Sequence, residues 1–187
     1  RSKDVGVFCN MSGATLGIVG MGRIGQATAR RARAFGMQVV YNGRRRTPEG
    51  DALGEFVGFE ELLDRADVVS LHCPLVAETR HLIDARALAR MKPGAILVNT
   101  SRGPVVDEAA LAEALHSGHL GGAGLDVYEE EPKVHPRLLT APRVVLVPHI
   151  GTSTLRTRLA MAEKALGDLL RVLDGELPRH PVNRPPR

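Results

Sequence analysis

The 187-residue sequence has no tryptophan, and aromatic residues make up only 3% of it. Platforms for single-stranded nucleic acid need aromatic faces on which bases stack, so this composition argues against one. No helix-turn-helix, zinc or aromatic motif supports nucleic-acid binding either. Cysteine is scarce: Cys9 and Cys73 form no CxxC pair and imply no disulfide framework. A reducing compartment, the cytoplasm, is the expectation. No run approaches the ~18 apolar residues of a membrane span, and no charged stretch leads into an apolar signal-peptide core. Neither a membrane partner nor a signal peptide is expected. No HExxH and no Cys/His pair points to a metal.

What is present is ordinary for a folded domain. Hydrophobic residues are 43% and charged residues 25%, close to globular averages. The length fits one domain with a real core. The formal net charge of +4 is a mild basic excess that suits an anionic ligand.

Short apolar runs alternate with helical patterns. Strands are expected at 15–20 (TLGIVG), 37–41, 67–74 (DVVSLHCP), 95–101 (AILVNTS), 121–128 (GGAGLDVY) and 143–149 (RVVLVPH). Helices are expected at 25–35, 58–66, 84–91, 107–118 and 153–175, with Asp84 and Asp107 as N-caps and Gly118 closing the fourth. Continuous apolar strands alternating with helices imply an α/β fold. The expected form is a doubly wound parallel sheet of Rossmann type, helices on both faces. Ligands in such sheets bind beyond the carboxyl ends of the strands. The chemically distinctive residues cluster there: 20–25, 42–46, 72–74, 100–102, 126–131 and 148–151. The tail 177–187 reads as coil.

The stretch GMGRIG, 20–25, fits G-x-G-x-x-G, follows a strand and opens a helix, which is the context that motif requires. Gly20 permits the tight turn, Gly22 lets main chain approach a pyrophosphate, and Gly25 lets the helix pack close. Arg23 and Ile24 complete the turn, and the helix N-terminus offers N–H groups to phosphate. A ribose-binding acid is expected about 20 residues further on. The second strand instead ends YNGRRR. Gly43 leaves that space open, and Arg44 and Arg45 can fork onto a 2′-phosphate. NADP(H) is therefore expected in preference to NAD(H), which remains possible. Arg46 reads as the solvated member of the run. The alternative, an ordinary solvated charge run, is disfavoured by its position.

Here the sequence resembles the D-isomer-specific 2-hydroxyacid dehydrogenases, from about Ser12 to about Asn183. The resemblance rests on LGIVGMGRIGQATARRARAFGM, DVVSLHCPLVAETRHLI, MKPGAILVNTSRGPVVDEAALAEAL, GHLGGAGLDVYEEEP and VVLVPHIGTST. The YNGRRR segment is most similar to the glyoxylate/hydroxypyruvate reductase branch. The resemblance implies a catalytic triad: Arg102 for the substrate, His149 as acid/base and Glu131 as its carboxylate partner, rather than Glu129 or Glu130. The roles suit the reaction. Reducing a 2-keto acid needs a hydride at carbon and a proton at oxygen. An imidazole titrating near pH ~6.5 delivers the proton, a carboxylate stabilises the imidazolium, and a guanidinium pairs with the substrate carboxylate. His116, His119 and His180 read as ordinary. The resemblance also places Asp126 near the nicotinamide carboxamide, and Thr100, Ser101 and Gly151 against the nicotinamide half. Cys73, Pro74 and Thr79 would line the cofactor cleft.

Members of this family carry about a hundred residues of substrate domain ahead of the glycine turn. Here only about a dozen residues precede the strand at Thr15, and 1–12 match nothing in the pattern. The expectation is a single NAD(P)-binding domain over 1–187 with the substrate domain largely absent. Its coil from 176 to 187 would return to that domain. Such a chain would bind NADP(H) and turn over poorly alone, and the full-length form would be a homodimer. Two other readings stand beside it: a dinucleotide-sensing, corepressor-like binding protein, and an NAD-dependent phosphoglycerate-type dehydrogenase.

Overall fold

Six of the seven strands follow the alternation of apolar runs and helices, and each strand pairs only in parallel with its neighbours. A computed structural model of the protein describes residues 10–183. Cys9, the rest of the segment before Asn10, and the end of the tail from Arg184 lie outside the described residues. The chain divides after Pro148 into two compact units.

The first unit runs β1 (Thr15–Val19), α1 (Arg23–Ala34), β2 (Gln38–Asn42), α2 (Pro48–Asp51), β3 (Glu55–Phe56), α3 (Phe59–Arg65) and β4 (Val68–Leu71). It continues with α4 (Ala85–Arg90), β5 (Ile96–Asn99), α5 (Glu108–His116), β6 (Gly122–Leu125), α6 (Pro136–Leu139) and β7 (Val144–Leu146). Short 3-10 turns cover Ala77–Thr79 and Gly103–Val105. The strand order is β3-β2-β1-β4-β5-β6-β7. The chain winds outward from β1 to β3, then returns to lay β4 against the other side of β1. That reversal is the topological switch point where doubly wound sheets bind ligands.

Side-chain alternation explains how both faces are covered. Leu16 and Ile18 of β1 join Val39 and Tyr41 of β2 and Ala29 and Ala32 of α1 in one core. Val19 and Val40 point the other way and pack with Leu62 and Leu63 of α3, in a larger core that extends through Leu97, Leu111 and Leu115. Asp67 fastens the amino ends of the central strands: it accepts from the Thr15 N–H at 2.8 Å and from Lys92 at 2.9 Å.

Several expected strands end early. The segment expected at 67–74 is β only to Leu71, and that expected at 121–128 only to Leu125. The residues beyond them form the loops that matter below. The two-residue β3, paired with Val40 and Tyr41, has too little apolar character to read as a strand. Asp84 and Asp107 cap their helices as expected, accepting from the Ala87 and Ala110 N–H groups.

The second unit holds α7 (Leu155–Leu173), capped by Thr154, whose hydroxyl accepts from the Thr157 N–H. The coil after it is irregular, as expected, yet fastened: the Asp168 carboxylate accepts from the N–H groups of Arg179 and His180, each at 2.8 Å. No helix among the described residues is long and apolar enough to cross a membrane.

Candidate active site

Parallel registration puts the carboxyl ends of the strands in one row. Val19 pairs with Asn42 on one side and Leu71 on the other; Leu71 pairs with Asn99, Asn99 with Leu125, and Leu125 with Leu146. The loops that follow therefore leave the sheet from one edge. They carry Gly20–Gly25, Gly43–Arg46, His72–Thr79, Thr100–Arg102 and Asp126–Glu131.

Gly20 has φ +99°, and a Cβ there would stand 2.7 Å from the main chain of His72 and Cys73. Only glycine fits both the left-handed conformation and the close approach. A Cβ on Gly25 would strike the Gly20 carbonyl oxygen, so Gly25 lets α1 close onto the turn. Gly22 is different: a Cβ there would meet no protein atom within 4 Å. Protein packing does not demand glycine at Gly22, whereas a pyrophosphate laid on the main chain does. Gly22 caps α1 without a side-chain hydrogen bond, and the first turn holds no acid. Its N–H groups are left for an anion. Arg23 and Ile24 are exposed on that turn. These features fit a dinucleotide.

The loop after β2 assigns different jobs to its arginines. Tyr41 donates its hydroxyl to Asp51 at 2.8 Å, and Arg46 pairs with the same carboxylate at 2.7 Å. Burial alone would raise the Asp51 carboxyl, but the hydrogen bonds from Tyr41 and Arg46 outweigh it and hold it below the usual range. Arg46 is exposed, as expected, and also fastens the loop. Arg44 and Arg45 are exposed, and neither side chain has a hydrogen bond or ion pair with any described residue. A Cβ on Gly43 would meet only the Met21 nitrogen, at 3.9 Å. The space beside the glycine turn is open where an acid would otherwise stand.

Past β4, Cys73 is buried, and burial pushes its thiol up. Pro74 is exposed. The Thr79 hydroxyl donates to the Pro74 carbonyl at 2.7 Å and accepts from the Val76 N–H at 2.9 Å. It shapes the loop that forms this side of the expected cleft.

Arg102 leaves the sheet just after β5, exposed, with Nη1 2.6 Å from the Ser101 carbonyl. Its main chain is held by a residue that the sequence reading passed over. Asn99 is 1% exposed; its oxygen accepts from the Ser101 N–H and hydroxyl, and its NH2 donates to the Arg102 carbonyl. An asparagine ending an apolar strand, just before a turn, is the signal that marks it. Ser101 is buried and Thr100 exposed.

Asp126 is buried, and its N–H continues the ladder to the Asn99 carbonyl at 3.0 Å. The exposed Glu131 accepts from the Tyr128 N–H at 3.1 Å. The Arg102 and Glu131 loops are pressed together: a Cβ on Gly103 would overlap the carbonyl of Tyr128. Both loops belong to the first unit. His149 and Gly151 open the second unit, both exposed. His149 has φ +53°, a left-handed conformation that a non-glycine residue adopts at some cost and that recurs at functional sites.

A family profile described as "D-isomer specific 2-hydroxyacid dehydrogenase, NAD binding domain" matches residues 2–151. The chain belongs to this family, and the matched part is its nicotinamide-dinucleotide-binding domain. The chain is 51% identical over 176 residues to a glyoxylate reductase of Thermococcus litoralis, covering 93% of this chain and 53% of that protein. It is 49% identical over 173 residues to glyoxylate/hydroxypyruvate reductase B of Citrobacter koseri, covering 90% of this chain and 53% of that one. Among solved structures, a glyoxylate reductase from Paecilomyes thermophila superposes with a TM-score of 0.87 at 47% identity, covering 94% of this chain and 54% of that one. The chain thus spans about half the length of the curated relatives it matches.

Proposed function

We propose that this chain supplies the cofactor domain and the acid–base residues of an NADPH-dependent reductase of small 2-keto acids, glyoxylate or hydroxypyruvate. The register row supports this best: the glycine turn, Gly43–Arg45, the Arg102 loop and the Glu131 loop all leave aligned strand ends along one edge of the sheet. The names of the relatives support the substrate class.

In this reading the dinucleotide lies along the carboxyl edge. Gly20–Gly25 hold its pyrophosphate, and Gly43 makes room for a 2′-phosphate that Arg44 and Arg45 bind. Cys73, Pro74 and Thr79 line the cleft, while Thr100, Ser101, Asp126 and Gly151 meet the nicotinamide half. The bound dinucleotide supplies the hydride. Arg102 pairs with the substrate carboxylate and draws charge toward the keto oxygen. His149 donates a proton to that oxygen, and Glu131 stabilises the imidazolium before the transfer.

Mixing this chain with NADPH and glyoxylate, and following the reduced nicotinamide by absorbance, tests the reading. NADPH binding with slow turnover is expected, and Arg102→Ala should abolish the turnover while leaving NADPH bound. Failure to bind either dinucleotide would refute it.

A further inference from the structure

Three consecutive glutamates, Glu129–Glu131, read in the sequence as one acidic loop. In the fold they are not equivalent. Glu129 turns inward: one oxygen lies 2.8 Å from His81 Nε2, and the other accepts from the Glu108 N–H at 2.9 Å. Glu108 reciprocates, accepting from the Glu129 N–H at 2.7 Å and from the His135 N–H at 3.2 Å.

Glu108 is 5% exposed. A carboxylate taken so far out of water is costly unless its oxygens are met by donors. Here two backbone N–H groups donate to it, one at each end of the segment 129–135. Between those ends the chain makes a turn, closed by the Lys133 N–H on the Glu130 carbonyl at 2.9 Å. Glu131 sits at the tip of that turn. Both carboxylates also lie at the N-terminus of α5, where the helix favours negative charge. Gly103 adds a steric stop at the start of the loop, because only a hydrogen fits against the Tyr128 carbonyl.

We propose that Glu108 and Glu129 form a reciprocal carboxylate clamp that positions Glu131, with His81 steadying the Glu129 arm. They are positioning residues and touch no substrate. The assignment rests on the catalytic role proposed above for Glu131. It also divides the acidic run: Glu129 anchors the turn and Glu131 works at its tip.

The test compares Glu129→Ala and Glu129→Gln with the unaltered chain in three measurements: glyoxylate reduction, NADPH affinity and amide hydrogen exchange. Glu129→Ala should lower kcat at least ~10-fold through misplacement of Glu131. KM for glyoxylate and NADPH affinity should stay within about twofold. Glu129→Gln, whose carboxamide oxygen still accepts from the Glu108 N–H, should recover most of kcat. Exchange at the Lys133 and His135 amides should quicken in Glu129→Ala and not in Glu129→Gln. An unchanged kcat in Glu129→Ala, or a loss shared equally by NADPH binding, overturns the clamp. If the unaltered chain binds NADPH without turnover, the catalytic reading fails for this chain. The exchange data then decide the clamp, and unchanged exchange at Lys133 and His135 in Glu129→Ala overturns it.

Discussion

The α-carbon of Gly20 lies against the main chain of His72: a Cβ on Gly20 would stand 2.8 Å from the His72 carbonyl oxygen. This contact joins β1 to β4 across the switch point, where the winding of the sheet reverses. It makes the first glycine of the turn a folding residue. The second, Gly22, touches nothing comparable.

Substitutions should separate the two. Gly20→Ala is expected to destabilise the fold by roughly 2–4 kcal/mol, through the left-handed φ and the clash with main chain. Gly22→Ala should cost no more than about 1 kcal/mol, as a poorer N-cap, yet weaken NADPH binding about tenfold or more. Thermal melts and a fluorescence titration with NADPH check both. Equal destabilisation by the two variants would contradict the distinction.

Arg44→Ala should weaken NADPH binding by roughly 1.5–3 kcal/mol, the worth of a charged hydrogen bond, and leave NADH binding nearly unchanged. Gly43→Asp should reverse the preference by repelling the 2′-phosphate. Arg46→Ala should behave otherwise, costing at most about 1 kcal/mol of stability, because its exposed pair with Asp51 is solvent-screened. Parallel titrations with the two reduced dinucleotides measure this. Equal losses for NADPH and NADH in Arg44→Ala would remove the 2′-phosphate role.

Asn99 holds the Arg102 turn by three hydrogen bonds from a buried position. Asn99→Ala should destabilise by roughly 2–4 kcal/mol, since buried partners are left unsatisfied. Asn99→Asp keeps the acceptor for Ser101 but sets an oxygen against the Arg102 carbonyl. Its expected effect is a higher KM for the keto acid, with NADPH affinity retained. Steady-state kinetics beside a binding titration would detect it, and an unaltered KM would count against the positioning of Arg102.

Burial holds the His72 imidazole below its ordinary pKa, with the Ser70 hydroxyl 2.9 Å from Nε2. The folded state therefore disfavours the protonated ring. The stability linked to His72 is fully present above the unfolded value of ~6.5 and is lost as the pH falls through it toward the lower folded value. Melting temperature should decline between about pH 7 and pH 5, and His72→Asn should flatten that decline. An identical slope in both proteins would show that other groups carry it.

Patterns with a fixed period or a strict stereochemical demand were legible in the sequence. The parallel fold followed from apolar strands alternating with helices, and the glycine turn from its strand–turn–helix setting. Asp84 and Asp107 announced their helices by type and place. Side-chain pairing was not legible. Arg46 and Asp51 are only five residues apart, yet only the fold reveals that Tyr41 and Arg46 share the Asp51 carboxylate. Glu108 and Glu129 lie 21 residues apart and meet because β6 returns beside β5. β3 escaped notice because a two-residue edge strand is fixed by its neighbour, not by its own composition. The coil near His180 reads as loose in sequence, yet Asp168 binds it to α7.

The Tyr41–Asp51–Arg46 arrangement has an evolutionary corollary. The shape of the loop after β2 is secured by Tyr41, Asp51 and Arg46, while the exposed Arg44 and Arg45 make no hydrogen bond or ion pair with any described residue. If Gly43, Arg44 and Arg45 read the 2′-phosphate as proposed, coenzyme preference would change by exchange of three adjacent codons, without any compensating change in the core. On that reading, a lineage carrying this domain would alter the reductant pool it draws on while its scaffold stays fixed.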